Sequence, residues 1–292
     1  MTAPTRLAVD HALIVHDDLA ASAAALARLG FNPTPVGYHG KSLGTANVTV
    51  MLPDRETYFE MIATVEPTPH NAGKRAALAA HGPHPFGLAF KGDARAAQTD
   101  FAAAGVAEGE AFDFDREVAL AGGPARARFA IAQIAQGTLP GLYAFVCQQF
   151  TPDVVWRADH LDHPNGARAL VGLWGVTREA AGTAAAWRRL FGAAVHETDG
   201  AVRIATPTAA IRYLPPATFA ARFGPLLPDR DPGLMVLELS VTDIAATRDH
   251  LAAAGVSAET AETAAGGLLV PDTLGLGAAF LFTAEGAAHD DR

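Results

Sequence analysis

DLAASAAALARLG (18–30) sets a pattern that the chain repeats as DARAAQTDFAAAG at 93–105 and DIAATRDHLAAAG at 243–255. In each run an aspartate opens the segment and a glycine closes it twelve positions later. Positions 1, 4, 8 and 11 after the aspartate fall on one helical face. They hold Leu19, Ser22, Leu26 and Leu29, then Ala94, Ala97, Phe101 and Ala104, then Ile244, Thr247, Leu251 and Ala254. An aspartate there satisfies the free backbone N–H groups of a first helical turn. A looser copy starts at Glu179 with Ala180, Thr183, Trp187 and Leu190 in the same slots, and residues 102–106 and 252–256 are identical. Four helices at recurring intervals imply four copies of one structural unit.

Each helix lies between apolar β-like runs. The first is flanked by His11–Val15, then by 44–52 and 57–63. The second follows 86–90 and precedes 126–134 and 141–147. The third follows 170–176 and precedes 201–206 and 210–214, and the fourth follows 233–241 and precedes 266–270 and 278–282. Each unit reads as strand, helix, then two or three strands. Connections containing Pro and Gly, near 66–85 and 215–232, join units within a pair. The distinct segment TPDVVWRADHLDHPNGAR (151–168) separates the pairs as a structured linker. The expected domains are 1–150 and 169–284, with a disordered tail at 285–292.

The chain has 292 residues, half of them hydrophobic and 18% charged, enough for two domains with real cores. A formal charge of −9 without a Lys/Arg cluster argues against nucleic acid and anionic membrane as partners, leaving a small molecule. No apolar run approaches a membrane span, and the opening MTAPTRLAVDHALIV lacks a secretory layout. The lone Cys147 excludes an internal disulfide framework and fits a reducing cytoplasm. Among Tyr143, Phe145 and Val146 it reads as a small buried hydrophobe.

Several strings resemble one superfamily. Asp10-His11-Ala12-Leu13, Asp17-Asp18-Leu19, Leu29-Gly30-Phe31, GYHGKSLGTAN (37–47), YFEMI (58–62), VVW (154–156) and HPNGA (163–167) are similar to the vicinal oxygen chelate superfamily, and within it to glyoxalase-like domain proteins. The resemblance implies an α+β fold of four βαβββ units, paired into two domains with cup-shaped mixed sheets. It also implies that metal ligands come from the first and last strands of a unit, which places His11 and Glu60 as ligands. A neutral imidazole and a carboxylate suit a divalent ion such as Zn, Fe, Mn or Ni. His39, in a Gly-flanked loop, is the candidate third ligand and, with Glu60, a candidate catalytic group.

Asn47, on the polar face Thr45-Asn47-Thr49, and Tyr58, beside Glu60, are candidate ligand contacts, as are His84, Gln148 and Trp156. Counting seven residues back from the opening acid gives His11 in the first copy but Phe86, Gly172 and Val236 in the others. None of those three binds a metal, so the second domain reads as a degenerate copy. Two functions follow from the resemblance. One is a metal-dependent enzyme of lyase, isomerase or dioxygenase type acting on a small oxygenated molecule. The other is a metal-free binding or sequestration protein of the bleomycin-resistance type. Sheets of this kind also pair between chains, so a homodimer is among the expected assemblies.

Overall fold

Asp18, Asp93 and Asp243 cap their helices as the spacing predicts. Each side chain accepts a hydrogen bond from a first-turn backbone N–H, at 2.9 Å from Ala21, 2.8 Å from Ala96 and 2.8 Å from Ala245. Glu179, in the looser copy, makes no such bond. The helical slots are buried or half-buried, except that Ala104, the C-cap of its helix, is exposed. Gly30, Gly105 and Gly255 close three of these helices at φ +81°, +64° and +65°, a left-handed conformation that disfavours any side chain.

The computed structural model describes residues 7–54, 56–120, 123–224, 232–261 and 266–286. The first unit is β1 (Ala8–Val15), α1 (Leu19–Arg28), β2 (Gly37–Tyr38), β3 (Thr45–Leu52) and β4 (Thr57–Thr64). After α2 (Ala72–His81) comes the second, β5 (His84–Lys91), α3 (Ala94–Ala103), β6 (Ala107–Leu120), β7 (Gly123–Ile134) and β8 (Tyr143–Gln149). The short α4 (Pro152–Val155) lies in the linker. The third unit is β9 (Ala167–Val176), α5 (Ala180–Phe191), β10 (Val195–Thr198), β11 (Ala201–Ile204) and β12 (Ala210–Leu214). Beyond α6 (Pro216–Phe223), the fourth is β13 (Gly233–Val241), α7 (Ile244–Ala253), β14 (Glu259–Ala261), β15 (Gly267–Val270) and β16 (Ala279–Ala284). Both Pro- and Gly-containing connections therefore carry a helix. The tail expected to be disordered lies outside the described residues from 287 onward.

The strands form two eight-stranded sheets of the same order, β2-β3-β4-β1-β5-β8-β7-β6 and β10-β11-β12-β9-β13-β16-β15-β14. β1 runs parallel to β4 and antiparallel to β5, and β9 repeats this with β12 and β13. In the first sheet the edge strands β2 and β6 come into contact, so the sheet curls almost into a barrel. β6 was absent from the sequence reading. Its alternation of Phe112, Phe114, Arg116 and Val118 with Asp113, Asp115 and Glu117 is a period-2 strand whose acidic face is turned outward.

Each sheet buries apolar residues on both faces. The outer faces of both, with their helices, share a single core, in which Phe280 packs 5.7 Å from the Phe31 ring and 5.5 Å from Phe59. The linker is stitched into this contact. His163 accepts from Asn32 N–H at 3.0 Å and donates to the Met51 carbonyl at 2.9 Å. Asn165 donates to the Leu29 carbonyl, and Arg168 holds Asp54 through two bonds of 2.7 and 2.9 Å. Phe280→Ala opens a cavity between the domains and is expected to cost about 4 kcal/mol of stability, read from urea unfolding. A loss below about 1 kcal/mol would show that the two outer faces do not depend on one another.

Candidate functional site

The inner face of the first sheet is a lined cup. His11 projects from β1 beside a register shift between Val9 and His11. Its Nδ1 lies 2.7 Å from Asp10 Oδ2, its ring stacks on Tyr58 at 4.1 Å, and Phe145 meets it edge-on at 5.7 Å. A network extends behind it, with Trp156 Nε1 donating to Gln149 Oε1 at 3.3 Å and Gln149 Nε2 donating to Asp10 at 3.2 Å. A carboxylate accepting from Nδ1–H fixes the imidazole tautomer and leaves Nε2 as the lone-pair nitrogen. Glu60 pairs with Leu13 of β1 and Thr49 of β3, and its buried carboxylate receives a 2.5 Å hydrogen bond from Asn47 Nδ2. The expected polar face of β3 is present, since Thr45, Asn47 and Thr49 all line the cup.

The opposite wall is aromatic. Phe114 stacks on Phe129 at 4.9 Å, and Tyr143, held by Gln133 Nε2 at 2.7 Å, continues the wall toward Phe145. Arg116 reaches inward from β6, and Lys74 from α2 places Nζ 4.4 Å from the Tyr143 ring centroid. The space between the walls, with the open solvent at its mouth included, is about 810 Å³. Of these groups the sequence reading missed Lys74 and Arg116 entirely. The alternation in β6 was a usable signal for Arg116, whereas nothing local marks Lys74.

Burial sets the charges. Loss of solvation lowers the His39 pKa to about 4 against the pull of Glu60, with Arg116 and Lys74 adding to the lowering. Its Nδ1 is 2.7 Å from Thr45 Oγ1. Loss of solvation also lowers Lys74 to about 8, opposed by Glu60. The Tyr58 hydroxyl and the Cys147 thiol are pushed well up by burial, with Asp10 adding to both. Cys147 is therefore a thiol and not a thiolate ligand or nucleophile.

His11, His39, Glu60, Asn47 and Tyr58 line the same cavity. His84 does not: its ring bonds the Gly82 carbonyl at 2.7 Å and faces a separate cleft between the domains. Gln148 is turned away as well, accepting from Ala94 N–H at the start of α3, while its neighbour Cys147 faces the cup. Strand parity allows only one of the two to point inward. Trp156 stands behind the wall, edge-on to Tyr58 at 6.0 Å, and acts on the cup through Gln149 and Asp10.

The donor set does not fit a three-ligand divalent ion. Among the described residues no three His, Cys, Asp or Glu side chains are grouped closely enough to share one. His39 Nδ1 and one Glu60 oxygen already have protein partners, and two cationic side chains occupy the same cavity. Across from His11 the neighbouring side chains are Ala89, its partner in β5, and the Phe145 ring, and neither is a metal donor.

The second cup carries a different set of side chains on the same frame. Gly172 aligns with His11, so the pairing of Trp174 with Arg212 in β9 and β12 matches that of Leu13 with Glu60. Arg212 thus stands where Glu60 does. It lies 3.8 Å from Glu238, which also accepts from Trp174 Nε1 at 2.8 Å. A Cβ on Gly172 would collide with Glu238 Oε2, so a side chain there would have to displace the Glu238 carboxylate. Helix α6 inserts Phe219 and Phe223 into the remaining space against Trp174.

Two repeated α+β domains of paired βαβββ units, with a lined cup in the first, define a vicinal oxygen chelate protein. More narrowly, residues 9–191 match the model of the Glyoxalase-like domain family, and the chain belongs to that family. No curated protein matches the chain. A hypothetical protein from Staphylococcus aureus shares the fold with TM-score 0.62 at 11% identity, over 95% of this chain and 99% of its own. A mutant of 4-hydroxymandelate synthase from Streptomyces coelicolor does so with TM-score 0.59 at 15%, over 98% and 95%. A xylose isomerase-like TIM barrel/4-hydroxyphenylpyruvate dioxygenase fusion protein matches with TM-score 0.61 at 16%, over 99% of this chain and 50% of that one. Likeness at such identities establishes the fold alone. Among the described residues no helix is long and apolar enough to cross a membrane.

Because its folded pKa lies below the ordinary 6.5, His39 contributes stability that is present above 6.5 and lost as pH falls toward about 4. An NMR titration of the imidazole should therefore show a neutral ring from pH 5.5 upward, and a midpoint near 6.5 would contradict its burial. Asn47→Ala leaves the buried Glu60 carboxylate without its donor and is expected to lower stability by about 2 kcal/mol, measured by denaturant unfolding.

Proposed function

We propose that the cup of the first domain binds a small molecule directly through its own side chains, with no metal held by the protein. The observation that carries this reading is the company of Glu60. Its carboxylate takes a hydrogen bond from Asn47 and shares its cavity with Lys74 and Arg116. A carboxylate so placed already has positive charge nearby, which weakens the case for an added divalent cation. Its remaining lone pairs face a cavity, where they accept from a ligand hydroxyl or amine. The Asn47, Gln133 and Tyr143 side chains add polar contacts, and the aromatic wall supplies apolar area. In this reading the protein is a binding or sequestration protein, and the lone buried Cys147 suits a reducing cytoplasm as its setting.

One observation favours the alternative, a lyase, isomerase or dioxygenase using Zn, Fe, Mn or Ni. Metal-ligating histidines regularly give their other ring N–H to a carboxylate, and His11 has that arrangement with Asp10. On that reading His11 and Glu60 would hold the ion, which would polarise a chelating substrate oxygen, while Asn47 and Tyr58 would orient the substrate.

Elemental mass spectrometry after incubation with each of the four metals and removal of excess separates the two. The expected result is far less than one metal per chain, unchanged in the His11→Ala, Glu60→Ala double variant. One metal per chain in the wild type, lost in that variant, would establish the metal-dependent alternative.

A further inference from the structure

The two cups are internal copies, so each reports on what the other lacks. In the second cup Arg212 is ion-paired with Glu238, and Phe219 and Phe223 of α6 pack in the apolar cluster beside Trp174. In the first cup the helix at the corresponding place, α2, buries none of its residues, and the space stays open against Phe114, Phe129 and Tyr143. The rings that complete one cup have no counterpart in the other. Planar aromatic groups stacked or edge-on against such a wall gain more than an aliphatic chain of equal area.

The charges differ in the same sense. Among the side chains lining the first cup, Lys74 and Arg116 are cationic and Glu60 is the single carboxylate, while His39 is neutral at pH 7. Asp10 lies behind His11, with Lys91 Nζ 4.0 Å away. Among the described residues neither Arg116 nor Lys74 forms an ion pair, and Lys74 rests on an aromatic ring instead. This surplus of positive charge sits in a chain whose formal charge is −9, so it is local and not a reflection of the surface. The backbone makes room for it. A Cβ on Gly37 would stand 2.5 Å from Arg116 Nη1 and 3.0 Å from Asn47 Oδ1, although the Gly37 φ is one that other residues adopt. Glycine there lets the guanidinium lie against β2, beside the polar floor.

Resting on the metal-free reading of this cup, we propose that its ligand is a singly charged aromatic acid, with the carboxylate at Arg116 and Lys74, the ring in the space that Phe219 and Phe223 fill in the twin cup, and a hydroxyl or amine directed to Glu60. Arg116 offers a planar fork to the carboxylate, and Lys74 a point charge. Glu60 selects for a donor and repels a second anionic group.

Isothermal titration with three probes tests this: 4-hydroxycinnamate, its neutral amide, and hexanoate. In metal-free protein the aromatic acid should bind one per chain, with the amide and hexanoate each weaker by at least about tenfold. Arg116→Gln and Lys74→Gln should each bring the acid down toward the affinity of the amide while leaving the amide unchanged. Gly37→Ala, which keeps the charge but displaces the guanidinium, should weaken the acid by about tenfold as well. Equal binding of acid and amide, equal binding of acid and hexanoate, or no binding of the acid in protein of unchanged thermal midpoint would each overturn the inference. Binding of the acid only after Zn²⁺, Fe²⁺, Mn²⁺ or Ni²⁺ is added would instead overturn the metal-free reading on which it rests.

Discussion

Strands whose residues are apolar on both sides have to cover both, because neither face tolerates water. Here the outer faces of both sheets, together with the repeat helices, are buried in one shared core, with Phe31, Phe59 and Phe280 meeting across the domain boundary. That contact fixes the relation of the two halves and leaves each inner face to be closed by local means. Closing an eight-stranded sheet on itself yields a space that side chains either fill or leave as a pocket. In the second domain Phe219 and Phe223 pack into the inner apolar cluster, and in the first domain the inner face lines a pocket. Everything distinctive about the site follows from that asymmetry.

The difference is as electrostatic as it is steric. At equivalent positions of β4 and β12 stand Glu60 and Arg212, groups of opposite charge on one frame. Arg212 is compensated by Glu238, whose carboxylate takes the place of any side chain on Gly172. Glu60 is compensated by a hydrogen bond from Asn47 and by cations at a distance, an arrangement that keeps lone pairs available toward the cavity. A buried charge that is hydrogen-bonded but not sealed into an ion pair is costly for stability alone and useful for binding.

Membership in the Glyoxalase-like domain family accounts for the repeated units, the curled sheets and the position of the cup. The fold does not choose the chemistry inside it. That choice depends on which side chains the β6–β8 wall and α2 bring to face His11 and Glu60. In this chain they bring phenyl rings, a guanidinium and an amine.

The sequence by itself determined the units. Helices opened by an acidic residue and closed by glycine after a fixed count, and alternating strands, are local patterns, and local hydrogen bonding and side-chain period enforce them. It also marked His11, Glu60, Asn47 and Tyr58, because strand parity puts the chosen residues of each segment on one face and the resemblance marks the strands. His39 was marked only as a residue of a Gly-flanked loop. The tertiary structure alone decided what meets them. Lys74 comes from the connection between the first two units, Arg116 from a strand 56 residues beyond Glu60, and both arrive only when the sheet curls and its edges touch. The same folding turned His84 toward a cleft between the domains and Gln148 toward α3. Register within a strand is a property of neighbouring residues, but the contents of a cavity depend on how distant strands close around it, and no local spacing encodes that.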